Sequence, residues 1–244
     1  MTGEESSRPP TQAAKAPVDR GSGLPSDDRF TVDLRGFGPL GILAILVIAA
    51  GTLVTPVLGA MLVLAWARRS HTPWREIGYV RPKSWIGGLA LGLAFGSVFK
   101  LLMKTVVMPL LGADPINSTY HYLVGNPAAL PGILLAVIVG AGFGEETVFR
   151  GYLFERFGKL WGAGFLAKLV IVLLGAGLFA LRHYVDQGTA GVQQAVITGL
   201  VFGAIFAITG RIWMLMCAHA AFDLTALAMI YWNLESDVAH LIFK

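Results

Sequence analysis

The run Gly142-Phe143-Gly144-Glu145-Glu146-Thr147-Val148-Phe149-Arg150-Gly151 sets two adjacent carboxylates and an arginine inside an otherwise apolar stretch. A charge held away from water costs at least a few kcal/mol, so such groups either pair or do chemistry. On a helix, neighbouring residues point about 100° apart, so the two glutamates cannot share one task. Glu146 and Arg150 are four residues apart with the acid first, the order that best forms an intrahelical ion pair, and this predicts structural support. Glu145 has no basic residue three or four positions on, which leaves it as the candidate general base.

A base needs partners, and later segments supply them. Phe179-Ala180-Leu181-Arg182-His183 closes one apolar run, and His219-Ala220-Ala221-Phe222-Asp223 lies inside another, with imidazole and carboxylate on one helix face. Taken singly, His183 reads as a boundary histidine meeting water, and His219 with Asp223 as two buried polar groups satisfying each other. Together with Glu145 they predict one polar pocket. A rise of 1.5 Å per residue places Glu145 ~18 Å and His219 ~12 Å from the same end of their helices, whereas His183 comes out at ~27 Å, a gap that tilt or a shifted helix end must close. Lys100 and Lys104 share a face near the end of another apolar run, where lysines ordinarily snorkel to the interface.

The elements holding these residues are those of a membrane protein. Of 244 residues, 55% are hydrophobic and 14% charged, and the mean hydropathy is +0.65. Apolar stretches run over 40–66, 85–111, 131–157, 165–181, 192–208 and 212–232, predicting an all-α polytopic bundle of about six spans. Residues 1–36 are rich in Pro, Gly, Ser and acids and predict a disordered N-terminal tail without a cleavable signal peptide, leaving 37–244 as the transmembrane domain and 131–232 as its motif-bearing core. The first stretch is interrupted at Gly51-Thr52-Leu53-Val54-Thr55-Pro56, where it can bend back.

Most of the positive charge behind the pI near 9.3 lies between spans, which points to a bilayer and away from nucleic acid. Arg68, Arg69, Arg75, Arg81, Lys83, Arg156, Lys159 and Arg211 place the odd-numbered loops on the cytoplasmic side, against a tail that is itself basic. Gly88, Gly92 and Gly96, and again Gly199 and Gly203, recur every four residues and predict close helix packing. The lone cysteine, Cys217, excludes an intrachain disulfide and reads as a buried inert thiol. The Gly/Ala-rich spans suggest a bacterial plasma (inner) membrane.

Three motifs in order, EExxxR at Glu145 to Arg150, FxxxH at Phe179 to His183 and HxxxN/D at His219 to Asp223, resemble those of the CPBP family of intramembrane proteases. That family includes the type II CAAX prenyl endopeptidases and bacterial bacteriocin-processing and self-immunity proteins. The resemblance spans roughly 131–232. It implies endopeptidase cleavage of membrane-associated proteins or peptides, with Glu145 and His183 activating water. His219 and Asp223 would then stabilise the oxyanion or hold the water. Relatives often carry Asn where this chain has Asp223, which leaves that residue open to orienting His219 or holding a metal.

Glu145, His183, His219 and Asp223 are an acceptable nitrogen and oxygen set for zinc, as the family's metalloprotease label implies, though no HExxH pair is present. A glutamate-activated water without metal is as coherent and is preferred here. The alternative from another class is a non-catalytic immunity, chaperone-like or transporter component that uses the same network for helix packing. No Gly-x-Ser-x-Gly elbow indicates a serine hydrolase.

Overall fold

The computed structural model describes residues 26–243, and among these the chain is helical with no strand. The elements are α1 (Ser26–Arg35), α2 (Pro39–Val54), α3 (Pro56–Arg69), α4 (Trp85–Leu110) and α5 (Pro127–Trp161). A helical run Phe165–Thr209 follows, broken at Gly188 into α6 (165–187) and α7 (189–209), and then come α8 (Trp213–Tyr231) and α9 (Glu235–Ala239). Short 3-10 turns at Trp74–Ile77 and Ser118–Leu123 sit in the α3–α4 and α4–α5 connections.

Four helices are long and apolar enough to cross a bilayer, or five if α1 and α2, bent by 56°, make one broken span. The sequence expectation of six is slightly higher, for local reasons. The first stretch divides at Thr55, whose extended backbone (φ −160°, ψ 141°) ends α2 and whose side chain accepts from Val57 N–H to start α3. The resulting helices of 16 and 14 residues reach only ~24 and ~21 Å, short of the ~30 Å hydrocarbon core. The stretches expected separately over 165–181 and 192–208 belong to one helical run, broken where Gly188 adopts φ 60°, ψ −153°, a conformation open essentially to glycine alone.

Of the expected tail, residues 1–25 lie outside the described residues, and from Ser26 the chain is helical. α1 is tied down by its C-terminal turn: Leu34 is buried and its carbonyl accepts from Trp66 Nε1 at 3.0 Å, while Arg35 O accepts from Arg156 Nη1 at 2.9 Å. These two carbonyls are among the last four of a helix, which have no intrahelical donor and must find one elsewhere.

α5 forms the centre of the bundle, packed between α3 and α8, with α4 behind α8. From Ala136 to Tyr152 its backbone bonds run i→i+5, giving wider turns than an α-helix. Such wide turns are frequent at functional sites. One core cluster joins Ile48, Val63, Trp66, Phe149, Tyr152 and Phe179; another joins Phe99, Met103, Phe202, Phe206, Leu215 and Phe222. Outward faces carry exposed Leu43, Leu46, Leu91, Val98, Leu173 and Leu174, as lipid contact requires. Of the glycine stripe, Gly92 and Gly96 meet α8 and Gly199 meets Ala176, but Gly88 faces nothing within 4 Å and has no packing role.

Candidate active site

Small residues beside the two glutamates make the site possible. A Cβ on Gly144 would lie 2.8 Å from the Pro56 carbonyl carbon of α3, and one on Gly142 would lie 3.0 Å from Met216 O of α8. Both neighbours therefore approach α5 to backbone distance next to Glu145 and Glu146. Glu146 is fully buried, and its Oε1 accepts from Arg150 Nη1 at 2.9 Å, the ion pair expected from the spacing. The same oxygen lies 2.7 Å from His219 Nδ1. Since an ionised carboxylate only accepts, Nδ1 carries the hydrogen. Glu146 therefore does more than neutralise Arg150: it fixes which edge of His219 faces the cavity.

That edge is Nε2, which lies 3.8 Å from Glu145 Oε2 and 3.8 Å from Asp223 Oδ2. His183 reaches the same place from α6: its Nδ1 donates to Phe179 O at 2.8 Å, turning Nε2 toward Glu145 Oε2 at 4.0 Å. All four predicted residues thus converge. The expected depth gap for His183 narrows because α5 ends at Trp161 and not near Phe157, which sets Glu145 farther along its helix from that end. His219 sits at the same level because α8 starts inside the protein, where buried Ile212 donates its N–H to Gly78 O at 3.0 Å.

A cavity of about 470 Å³ opens on Glu145, His183, His219 and Asp223. Asp223 is half-buried on its wall, and Glu146 and Arg150 stand behind it, out of the lining. Among the described residues, Glu145 Oε2, Glu146 Oε2 and Arg150 Nη2 are buried atoms without a hydrogen-bond partner. Arg150 is otherwise held by aromatic faces, with its guanidinium carbon 4.5 Å from the Phe179 ring centre and 5.5 Å from that of Phe202. Phe179 also lies against the His183 ring at 4.4 Å, tilted by 52°, and meets His219 at 5.9 Å, so one ring braces three polar residues.

Among the described residues no group of three or more His, Cys, Asp and Glu side chains is arranged to hold a metal ion. His219 Nδ1 is already committed to Glu146.

Sequence reasoning did not find Phe202, which lies in an apolar run where nothing marks one phenylalanine from another. It also missed the pair Tyr79–Thr147, at 2.7 Å. Thr147 follows Glu146 directly and spends its own hydrogen on Phe143 O at 2.7 Å, so the Tyr79 hydroxyl is the donor. Lys100, expected to snorkel, is instead buried against the cavity.

Residues 127–225 match the family model described as type II CAAX prenyl endopeptidase Rce1-like. No curated protein and no solved structure matches the chain.

Proposed function

We propose, on the match of residues 127–225 to the type II CAAX prenyl endopeptidase Rce1-like family model and on the span-length apolar helices, that the chain is a multi-pass membrane protease that hydrolyses peptide bonds of membrane-associated proteins or peptides with a water activated by Glu145. The observation that carries this is the unpartnered, buried Oε2 of Glu145, a residue of the cavity lining, set 3.8 Å from one imidazole Nε2 and 4.0 Å from another. Atoms at such separations can share one water ~2.8 Å from each, with an angle of about 90° at the oxygen, which water accepts readily.

In this mechanism Glu145 takes a proton from that water as its oxygen attacks the scissile carbonyl, and then hands the proton to the leaving amine. His183, with its Nδ1 hydrogen spent on Phe179 O, offers Nε2 to orient the water. His219 Nε2, when it carries a proton, donates to the developing oxyanion, and Asp223 beside it sets the direction of that donation. Glu146 and Arg150 hold His219 from behind. A carboxylate at 223, where relatives often have Asn, fits the orienting role better than direct contact with an oxyanion. The compartment we assign is a bacterial plasma membrane, on the Gly/Ala-rich spans.

The test is cleavage of intramolecularly quenched peptides by the purified chain in lipid nanodiscs, compared with Glu145→Gln, which keeps shape and hydrogen bonding but removes the base. Loss of turnover with unchanged thermal unfolding supports the mechanism. Undiminished turnover in that variant would hand the polar network to helix packing, the non-catalytic alternative.

A further inference from the structure

Lys100 is a cation that the hydrolytic chemistry leaves unused. A Cβ on Gly96 would lie 2.0 Å from Ala218 O, and one on Gly92 would lie 2.8 Å from Met214 O, so α4 and α8 touch through their backbones. One turn past Gly96, that closeness draws Lys100 inward. The residue is 8% exposed, with Nζ 2.7 Å from Gln194 Oε1 and 4.8 Å from the centre of the Phe222 ring.

Its neighbour Lys104 is built differently: Nζ has Glu235 Oε1 at 3.1 Å and also donates to Pro115 O. Among the described residues no carboxylate lies within ion-pair distance of Lys100. Asp223, Lys104 and Glu235 act on it only at longer range, and Glu235 is already engaged by Lys104 and by Asn117 N–H at 3.2 Å. An ammonium has three donors, and one goes to Gln194. A buried cation left in this condition calls for an anion.

Lys100 and Gln194 line both the cavity that holds Glu145 and an adjoining cavity of about 400 Å³, so an anion bound there is in continuous space with the hydrolytic centre. The Gln194 amide oxygen accepts from Lys100, which leaves its NH₂ beside the ammonium to serve a second oxygen. We propose that Lys100 and Gln194 form a carboxylate-binding subsite that selects the substrate and sets which peptide bond meets Glu145. The carboxylate is a peptide's C-terminus or the side chain of an Asp or Glu. As a guide for cleavage the subsite rests on the hydrolase reading above; as an anion site it stands without it.

The experiment measures binding and cleavage separately. Three probes, N-acetyl-trileucine acid, its amide, and N-acetyl-Leu-Glu-Leu amide, are titrated against the Glu145→Gln chain in nanodiscs. A charge-assisted pair gives about a 10- to 100-fold preference for a carboxylate-bearing probe over the neutral amide. Preference for the acid identifies the terminal carboxylate, and preference for the glutamate peptide identifies the side chain. Adding Lys100→Met or Lys100→Gln abolishes the preference. Equal affinity for all three probes overturns the subsite, and that comparison needs no Lys100 variant to fold. A preference that survives loss of the lysine overturns it as well. Carboxylate-selective binding without cleavage of any probe by the unaltered chain leaves the subsite standing and removes the hydrolase reading. Cleavage indifferent to the carboxylate does the reverse.

Discussion

α5 carries two buried glutamate–arginine pairs less than three turns apart, and they are built to opposite ends. In the second, both Glu155 oxygens are engaged by Arg156, Lys159 adds a contact at 3.1 Å, and Arg156 Nη1 donates to Arg35 O. The Arg156 guanidinium carbon also lies 4.4 Å from the Trp66 ring centre. Every nitrogen of that guanidinium is used, although the nearby Tyr152 hydroxyl has no partner. In the first, the Glu145, Glu146 and Arg150 side chains each keep an unpartnered buried atom, and Glu145 faces a cavity. Burial of charge is common to both, so it does not distinguish chemistry from packing. An unsatisfied oxygen on a residue that lines a cavity does.

The sharpest way to break this contrast is to make the same substitution in both places. Glu145→Gln is expected to lower kcat/KM by about 10²- to 10⁴-fold, the usual worth of a general base, with thermal unfolding unchanged. Glu155→Gln should leave the turnover of the folded protein within about twofold. Equal losses in quenched-peptide cleavage would mean that the two carboxylates support one structure and that the contrast is false.

Stability should rank them the other way. Glu155→Leu leaves Arg156 buried without its carboxylate, a change that typically costs about 3–5 kcal/mol. Denaturation in mixed micelles should show that loss, with activity per folded molecule retained. Because Arg156 fastens the end of α1, proteolysis within 26–35 should accelerate in parallel.

How much of this was legible in the sequence follows from the same physics. Glu145, Glu146, Arg150, His183, His219 and Asp223 announced themselves because ionisable groups in apolar runs are costly and helix spacing says which can meet. Their order along the chain also matched a family pattern. The full connectivity of Glu146 was not legible: its second partner, His219, is 73 residues away, and no local rule pairs them. Lys100 was visible as a lysine near a span end, yet its inward turn depends on how closely α4 meets α8. The span count came out high because an apolar run need not be one crossing: the interruption at 51–56 is visible in the sequence, but not that it leaves two short helices, and hydropathy does not mark a helical bridge such as 182–191 between two runs. The helical character of 26–35 was hidden because a polar composition predicts no fold, whereas Trp66 and Arg156 supply its end with hydrogen bonds.

Two glycines on α5 test whether closeness of neighbours, and not charge, makes the first region special. Gly144→Ala drives a methyl to within 2.8 Å of the Pro56 backbone, which should cost about 1–3 kcal/mol and lower activity as α3 is displaced from Glu145. Gly158, beside the second pair, faces nothing within 4 Å. Gly158→Ala should therefore gain up to about 1 kcal/mol through helix propensity, with activity unchanged. Paired thermal unfolding and peptide cleavage check both.

The smallest effect belongs to a tie from the α3–α4 connection to the first region, the Tyr79 hydroxyl donating to Thr147, next in sequence after Glu146. Burial pushes the Tyr79 phenol above its ordinary value of 10.0, and the Thr147 hydrogen bond opposes that rise. A raised folded-state value means that the stability it contributes is complete below the unfolded phenol range and is lost as pH climbs through the folded value. Tyr79→Phe should thus cost about 0.5–1.5 kcal/mol at neutral pH, the net worth of one hydrogen bond. It should also remove this residue's share of the stability decline above about pH 10. Turnover should hardly move, because Thr147 still donates to Phe143 O and Glu146 still holds His219. A loss of turnover comparable to that of Glu145→Gln would show that the α3–α4 connection positions the reacting groups, and would extend the first region beyond the cavity that now bounds it.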